Sequence, residues 1–350
     1  MKSNLALIGF GTVGQGLCEI LQSKRSSLFE SRGFEWNLVA VSDFVKGSVY
    51  CPDGLDVDAL LALARAGRSL EEYGGSGEIH KGWDALKTAG ETNAHTVCEL
   101  SFTDVTTGEP AIGHCRAAIE AGKHIVTSNK GPAALRYAEL DALAKIKGVR
   151  FMIEGTVMAG TPVLNLARGP LAGCEIRSAR GILNGTTNYI LSEMESGAEY
   201  DDVLARAQEL GYAEADPTGD VEGFDAMAKV VILANVVLGV PIGPADVERT
   251  GIAGITPEMI EEARIEKARW KLLGSVERGA EGINASVAPE LVPLSHPLAG
   301  VMGATNALTF ETDLLGDVTV VGPGAGKKET GFSILNDILE IHRDTEGGSR

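Results

Sequence analysis

Residues 5–14 read LALIGFGTVG. Leu5–Ile8 is a short apolar run of the kind that forms a parallel strand buried on both faces. Gly9, Gly11 and Gly14 then fall at G-x-G-x-x-G spacing, and a helical pattern continues through about Ser23. In such a turn the first glycine permits the tight bend. The second lets a pyrophosphate approach the backbone, and the third lets helix and strand pack closely. The N–H groups at the helix start face the phosphates. Gly9, Phe10, Gly11, Thr12, Val13 and Gly14 are therefore the candidate dinucleotide cradle. The plainer reading, a glycine-rich turn in some other α/β protein, stays open on spacing alone.

Outward from this turn, the second strand is WNLVAVSD, Trp36–Asp43. Asp43 ends it, where an acidic side chain would bond the ribose hydroxyls of NAD. Lys46 nearby would instead attract the 2′-phosphate of NADP, and a turn cap is the bland alternative for Asp43. Ser26–Gly33 reads as a long loop, and residues 47–82 as an irregular excursion with a short helix at Leu60–Ala66. Then come a strand at Thr96–Ser101, a helix from Pro110 to Ala121 and a strand at His124–Thr127. A helix from Pro132 to Lys147 and a strand from Val149 to Ile153 follow. The alternation predicts an α/β doubly wound sheet of Rossmann type. Loops at the carboxyl ends of such strands face the ligand, and here they carry Ser101 to Thr103 and Ser128 to Lys130. For Lys130 the alternative is a solvated loop lysine.

After Ile153 the pattern changes. EGTVMAGTPV is rich in glycine and small residues, and ARGILNGTTNYILSEM places a strand before Asn184–Gly185 and a helix after it. Gly185, Thr186 and Thr187 present N–H and hydroxyl groups at that helix start. They are either a cradle for a carboxylate or a capped helix with no ligand. GYAEADPTGDVEGFDAMAKV, residues 211–230, gathers Glu214, Asp216, Asp220, Glu222 and Asp225 ahead of Lys229. Asp225 and Lys229 are spaced to share one face of a helix that continues VVILANVVLGV, apolar all round. Charges at the mouth of a buried helix are rarely idle, although a solvated ion pair beside an acidic loop is the competing reading. Residues 257–274 read as one amphipathic helix, while ASVAPELV, NALTFETD and DVTVVG read as strands of an antiparallel sheet. GPGAGKKETGFSILNDIL makes a glycine turn and a helix from Thr330 to Ile341.

A net charge of −17 argues against non-specific binding of nucleic acid or anionic membrane. Cys18, Cys51, Cys98, Cys115 and Cys174 are odd in number, widely spaced and without a C-x-x-C pair, which suits reduced thiols in the cytoplasm and no zinc site. The start of the chain lacks signal-peptide character, and no run approaches the roughly 18 apolar residues of a membrane span.

With these motifs in view the chain resembles homoserine dehydrogenase nearly end to end. The markers are GFGTVG, TSNKGP, EGTVMAGTPV, GILNGTTNYIL, GYAEADPTGDVEGFDAMAKV and VGPGAGKKETGFSILNDI. The resemblance implies interconversion of L-homoserine and L-aspartate 4-semialdehyde with NAD or NADP, on the route from aspartate to threonine, methionine and isoleucine. It implies a dinucleotide-binding domain over residues 1–153, completed by 322–342, and an α+β substrate-binding domain over 154–321 that forms a homodimer through its sheet. By position, Lys229 matches the acid–base lysine, Asp225 the carboxylate one turn before it, and Glu214 and Asp220 the acids around the substrate. Gly211 and Tyr212 line the same pocket, Gly211 reaching the cofactor, with Gly185 and Thr186 as the other wall. Lys130 matches the lysine between nicotinamide and substrate. Ser101, Thr103, Gly324, Gly326 and Thr330 match segments on the cofactor, and Glu154, with the backbone of Val157, Ala159 and Thr161, matches a site for sodium or potassium. Ser101–Phe102–Thr103–Asp104 stands for the more usual TPTN, and Lys327–Lys328 for small residues, so the departures fall on the cofactor side. Neither a C-terminal regulatory domain nor a preceding kinase domain is present, so threonine feedback through such a domain is expected to be absent. Two other readings compete: a dehydrogenase of another small amino-acid alcohol or aldehyde, and a non-catalytic dinucleotide sensor. The second predicts loss of Lys130, Glu214, Asp225 and Lys229, all of which are present.

Overall fold

The structure, a computed structural model, describes residues 2–279 and 282–347. The chain begins with β1 (Ser3–Ile8), α1 (Thr12–Ser23), α2 (Arg25–Arg32), β2 (Trp36–Asp43) and β3 (Gly47–Tyr50). It continues through α3 (Val57–Arg65), β4 (His80–Lys81), α4 (Ala85–Glu91), β5 (Thr96–Glu99), α5 (Ala111–Glu120) and β6 (His124–Thr127). Next are α6 (Lys130–Leu135), α7 (Tyr137–Lys147), β7 (Phe151–Met152), α8 (Leu164–Arg168), β8 (Ile176–Ile182) and α9 (Gly185–Met194). Then follow α10 (Tyr200–Glu209), α11 (Thr218–Val221), α12 (Phe224–Leu233), β9 (Glu248–Arg249) and α13 (Pro257–Ile265). The chain closes with β10 (Ala268–Gly279), β11 (Gly282–Pro293), β12 (Thr305–Thr312), β13 (Gly316–Pro323) and α14 (Lys327–Gly347). Two compact units result: one up to Gly160 and again from Gly326, the other Thr161–Ala325.

The first unit holds a seven-stranded sheet in the order β4-β3-β2-β1-β5-β6-β7. Strands β2, β1, β5, β6 and β7 are parallel, and β3 and β4 add an antiparallel edge. The inner strands are apolar along their length because helices cover both faces: Leu5, Leu7, Leu38, Val41 and Val97 are all buried. The strand order reverses between β1 and β5, and at such a switch point open α/β sheets bind their ligands. Three local expectations are corrected here. Ser26–Gly33 belongs largely to α2, held by buried Leu28 and closed by Gly33 at φ +64°. Its single buried residue is too little periodicity to read as a helix. The excursion over 47–82 contains β3 and β4, of four and two residues, too short to show alternation. The helix expected from Pro132 starts at Lys130, where the Asn129 side chain caps Gly131 N, and it breaks at Arg136.

The second unit holds a six-stranded sheet in the order β13-β12-β8-β10-β11-β9, antiparallel except for the β11–β9 pair. The single helix expected over 257–274 is not found. Helix α13 ends at Ile265, Lys267 turns the chain at φ +56°, and WKLLGSV runs through the middle of the sheet as β10. The short apolar stretch around Leu272 and Leu273, broken by Lys271 and Ser275, fits the end of an amphipathic helix and a central strand alike, so periodicity could not separate them. Helix α12 lies across this sheet. A Cβ on Gly274 of β10 would stand 2.6 Å from Leu183 Cδ1 and 2.9 Å from Val230 Cγ2. The missing side chain is what lets α12 and the end of the β8 segment close on the strand. Among the described residues no helix is long and apolar enough to cross a membrane.

Candidate active site

In the first unit the glycine turn has the shape its spacing implies. A Cβ on Gly9 would fall 2.3 Å from Leu100 O, and one on Gly14 2.5 Å from Gly9 O, whereas at Gly11 nothing lies within 4 Å. The turn is thus packed from behind and open in front. Helix α1 follows Gly11, which supplies no side-chain cap, so its first N–H groups are left to the open side. Such a cradle fits a dinucleotide pyrophosphate. Phe10 N donates to Asp43 Oδ2 at 2.6 Å, tying the turn to the end of β2. Asp43 Oδ1 accepts from Val45 N and Lys46 N. Burial alone would raise the Asp43 carboxyl, but the N–H groups of Phe10 and Lys46, with the Lys46 charge, hold it below its ordinary value. Lys46 Nζ stands 3.8 Å from Asp43 Oδ1.

The two carboxyl-end loops are joined by Asn129. Its Nδ2 donates to Ser101 O at 3.3 Å and Phe102 O at 2.9 Å. Ser101 is half-buried, Thr103 is exposed, and Lys130 stands half-buried as the first residue of α6. Gly326 has φ +136°, and its carbonyl accepts from Thr330 N within α14. Glu154 is 1% exposed, and Val157 and Ala159 are buried beside it in sequence. Ala159 holds φ +46°, a left-handed conformation that a non-glycine residue adopts at a cost of about 1 kcal/mol or more. Among the described residues no three His, Cys, Asp or Glu side chains converge as a metal site.

In the second unit Lys229 is 6% exposed. Its Nζ donates to Leu183 O at 2.6 Å and pairs with Asp225 Oδ2 at 2.8 Å. The i,i+4 spacing sets the pair, and the seat of α12 over Gly274 brings Lys229 to the Leu183 carbonyl. Asn184 completes the cluster. Its Nδ2 donates to Asp220 Oδ1 at 2.7 Å and to Asp225 Oδ2 at 3.0 Å, while its Oδ1 caps α9 at Thr187 N at 2.9 Å. One amide thus bridges two carboxylates and fixes a helix start. Burial and the Asp225 charge push the Asp220 carboxyl above its ordinary value, against the pull of Asn184, Lys229 and Thr186. Asp220 lies on α11, a short helix within the stretch read as loop.

The remaining expected residues are spread around this cluster. Thr186 is buried and donates through Oγ1 to Tyr212 O at 2.7 Å, which ties the α9 start to the 211–214 loop. The Tyr212 ring lies 5.0 Å from that of Tyr189. Gly211 is exposed at φ +76°. Glu214 is exposed, with its main-chain carbonyl held by Gln208, and among the described residues its carboxylate joins no ion pair. Thr161 is buried and donates through Oγ1 to Pro323 O at 3.0 Å, which leaves its main chain, the part matched to the cation site, unaffected. Gly185 and Gly324 meet at Asn306, which is fully buried with neither amide atom partnered among the described residues. A Cβ on Gly324 would lie 2.2 Å from that amide and one on Gly185 3.1 Å from its Oδ1. Both glycines therefore have a packing reason to be glycine. Asn184, the Leu183 carbonyl, Asn129 and Asn306 were not foreseen as site residues. Only Asn184 carried a readable signal, its N-cap position before Gly185-Thr186-Thr187.

A family model described as homoserine dehydrogenase matches residues 162–339. The chain is 46% identical over 342 residues to the NAD(+)-dependent homoserine dehydrogenase of Pseudomonas canavaninivorans, covering 97% of this chain and 96% of that one. It is 40% identical over 344 residues to the homoserine dehydrogenase of Methanocaldococcus jannaschii, covering 98% and 99%. The fold is similar to that of a hyperthermophilic archaeal homoserine dehydrogenase mutant in complex with NADPH, with a TM-score of 0.83 at 30% identity and 98% coverage of both chains.

Proposed function

This chain belongs to the homoserine dehydrogenase family, and on that premise we propose how its own side chains divide the chemistry. The reaction is the NAD(P)-dependent interconversion of L-homoserine and L-aspartate 4-semialdehyde, an oxidoreductase step in making threonine, methionine and isoleucine from aspartate. The nicotinamide, when bound, supplies the hydride chemistry at the substrate carbon.

The observation that carries the assignment of roles is the closed network of Lys229, Asp225, Asn184 and Asp220. An ammonium has three N–H groups, and Lys229 commits one to Leu183 O and one to Asp225. The third addresses the substrate oxygen. In the reducing direction Lys229 gives its proton to the aldehyde oxygen as that oxygen becomes a hydroxyl. In the oxidising direction the neutral amine takes the hydroxyl proton back. Asp225 and Leu183 O hold Nζ in place through both steps, so the group transfers a proton without losing its aim. Glu214 and Asp220 suit the ammonium of the amino acid. The N–H groups of Gly185 and Thr186 at the α9 start suit its carboxylate, and Lys130, on the carboxyl-end loop of the first unit, is the cation on the nicotinamide side. Tyr212 closes the wall through its hydrogen-bonded link to Thr186. Burial pushes the Cys18 thiol up to about 12 and raises Cys98 and Cys115 as well, which makes these three poor nucleophiles.

On the cofactor side, within the first unit, residues 9–14 hold the pyrophosphate, and Ser101, Thr103, Gly326 and Thr330 complete the contacts. Asp43 takes the adenosine ribose. Three N–H donors leave its carboxylate one acceptor position, which favours NAD over NADP, and Lys46 is already engaged by it. The first unit is the dinucleotide-binding domain and the second the substrate domain. The Glu154 carboxylate with the carbonyls of Val157 and Ala159 takes sodium or potassium, and the left-handed Ala159 is the support for that reading. The chain acts as a cytoplasmic homodimer joined through the sheet of the second unit. Unpaired thiols and the family resemblance support this.

The test is Lys229→Ala, assayed with homoserine and with NAD, then NADP, by absorbance of the reduced cofactor. The expected result is a kcat lower by at least about 10³-fold with cofactor binding nearly intact. Near-normal turnover would remove Lys229 from the proton-transfer role.

A further inference from the structure

Ser101 and Lys130 stand on different loops, yet a single buried carboxylate organises both. Glu99 is the last residue of β5 and is fully buried. Its carboxylate accepts a very short hydrogen bond from Ser101 Oγ, and weaker ones from Ser101 N at 3.4 Å and Thr127 Oγ1 at 3.4 Å. His114 Nδ1 of α5 lies 3.2 Å away, itself buried. The Glu99 main-chain carbonyl accepts from Thr127 Oγ1 at 2.7 Å. That hydroxyl accepts in turn from Asn129 N at 2.9 Å. Asn129 then caps α6 at Gly131 N and returns to Ser101 O and Phe102 O. The circuit closes on itself, from β5 through β6 and the Lys130 loop back to the Ser101 loop. On its other side the segment directly after Glu99 is the wall against which Gly9 packs, 2.3 Å from Leu100 O to a Cβ placed there.

A carboxylate in this place has no packing justification. The preceding β5 residues Thr96, Val97 and Cys98 fill the core without charge. A buried carboxylate persists where its oxygens are needed as acceptors and are fully supplied with donors. Here the donors come from the two loops proposed to address nicotinamide and substrate. We infer that Glu99 is a positioning residue for the reaction, bracing the 101–103 and 128–130 loops against one another and against the glycine turn. The inference rests on the proposed roles of Ser101 and Lys130. Glu99 itself touches neither substrate nor cofactor in this arrangement.

Glu99→Gln preserves size and one acceptor oxygen but turns a donor toward the hydroxyls and the imidazole. In the full-length enzyme it is expected to lower kcat about tenfold or more, because small misplacements of positioning groups are costly. It should also raise the Kd of the reduced cofactor, read by nicotinamide fluorescence, about tenfold. Amide exchange over residues 101–104 and 128–131 should accelerate. Thr127→Val, which removes one donor from the loop side, should move the same readouts in the same direction and covers the case in which Glu99→Gln does not fold. Ile119→Val, which trims the buried face of α5, serves as a stability control with unchanged kcat and Kd. Wild-type kcat and Kd in Glu99→Gln, or changes no larger than those of Ile119→Val, would overturn the inference. So would additive effects of Glu99→Gln and Ser101→Ala, since a shared brace requires coupling. Lys130→Ala in parallel separates the two levels. If Lys130→Ala is impaired and Glu99→Gln is normal, only the bracing role falls, whereas a normal Lys130→Ala overturns the loop assignment beneath it.

Discussion

Replacing Asn184 by serine separates two jobs that one amide performs. The cap of α9 is the first: Asn184 Oδ1 accepts from Thr187 N at 2.9 Å, worth about 1 kcal/mol, and serine caps a helix about as well. The bridge is the second, with Nδ2 donating to Asp220 at 2.7 Å and Asp225 at 3.0 Å. Serine is too short to reach either carboxylate. A hydrogen bond to a charged group contributes about 1.5–3 kcal/mol, and allowing for partial solvent access the two together come to about 2–3 kcal/mol. The lost bridge leaves Asp225 free to rotate away from Lys229 under repulsion from Asp220. If the full value is felt in the transition state, kcat falls about 10²-fold, at 1.36 kcal/mol per decade. The assay is the initial rate of homoserine oxidation beside a thermal unfolding curve. Asn184→Ala should show the same loss of kcat and be less stable than the serine variant by about 1 kcal/mol. Turnover of Asn184→Ser within about twofold of wild type would refute the bridge as a functional element.

Two further outcomes follow from charges the fold has displaced. The raised Asp220 carboxyl means that the folded state holds this proton more tightly than the unfolded chain. Its contribution to stability is therefore present at low pH and lost as pH rises from the ordinary value of about 3.9 through the raised one. Asp220→Asn is expected to raise Tm at neutral pH, to lose that advantage near about pH 4, and to lower kcat/KM; parallel Tm curves across pH would contradict it. Lys271 has the opposite sign. It is fully buried in β10, donates to Asn188 Oδ1 and Val301 O, and is pushed by burial down to about 8. The unfolded chain holds that proton up to about pH 10.4, so stability should rise between about pH 8 and 10.4. Lys271→Met should abolish the rise, and denaturant titrations at pH 7.5 and 10 would reveal a wild-type-like slope if the reasoning fails.

The legible parts of the site are those made by neighbours in sequence. Strand β2 ends at Asp43 where its apolar run ends. The glycine turn follows from its spacing, and Asp225 and Lys229 follow from helical periodicity. What could not be read depends on which segment comes to lie against which. WKLLGSV suits the end of an amphipathic helix and a central strand equally, and its partners in β8 and β11 decided between them. The fully buried Lys271 is, in sequence, an ordinary lysine in that same run.

The chemistry divides in the same way. Residue types at fixed short spacing were enough to bring out a glycine turn between strand and helix, an acidic stretch and a carboxylate–lysine pair on one helix face, because turns and single helix faces are set by sterics over a few residues. The surroundings of those groups are long-range. The Leu183 carbonyl on Lys229 lies 46 positions away in sequence, the Asn184 amide reaches 36 and 41 positions to its two carboxylates, and the Thr127 hydroxyl returns 28 positions to Glu99. No periodicity encodes such contacts. They arise where packed elements leave buried polar groups that must find partners, and that requirement is met only in the assembled core.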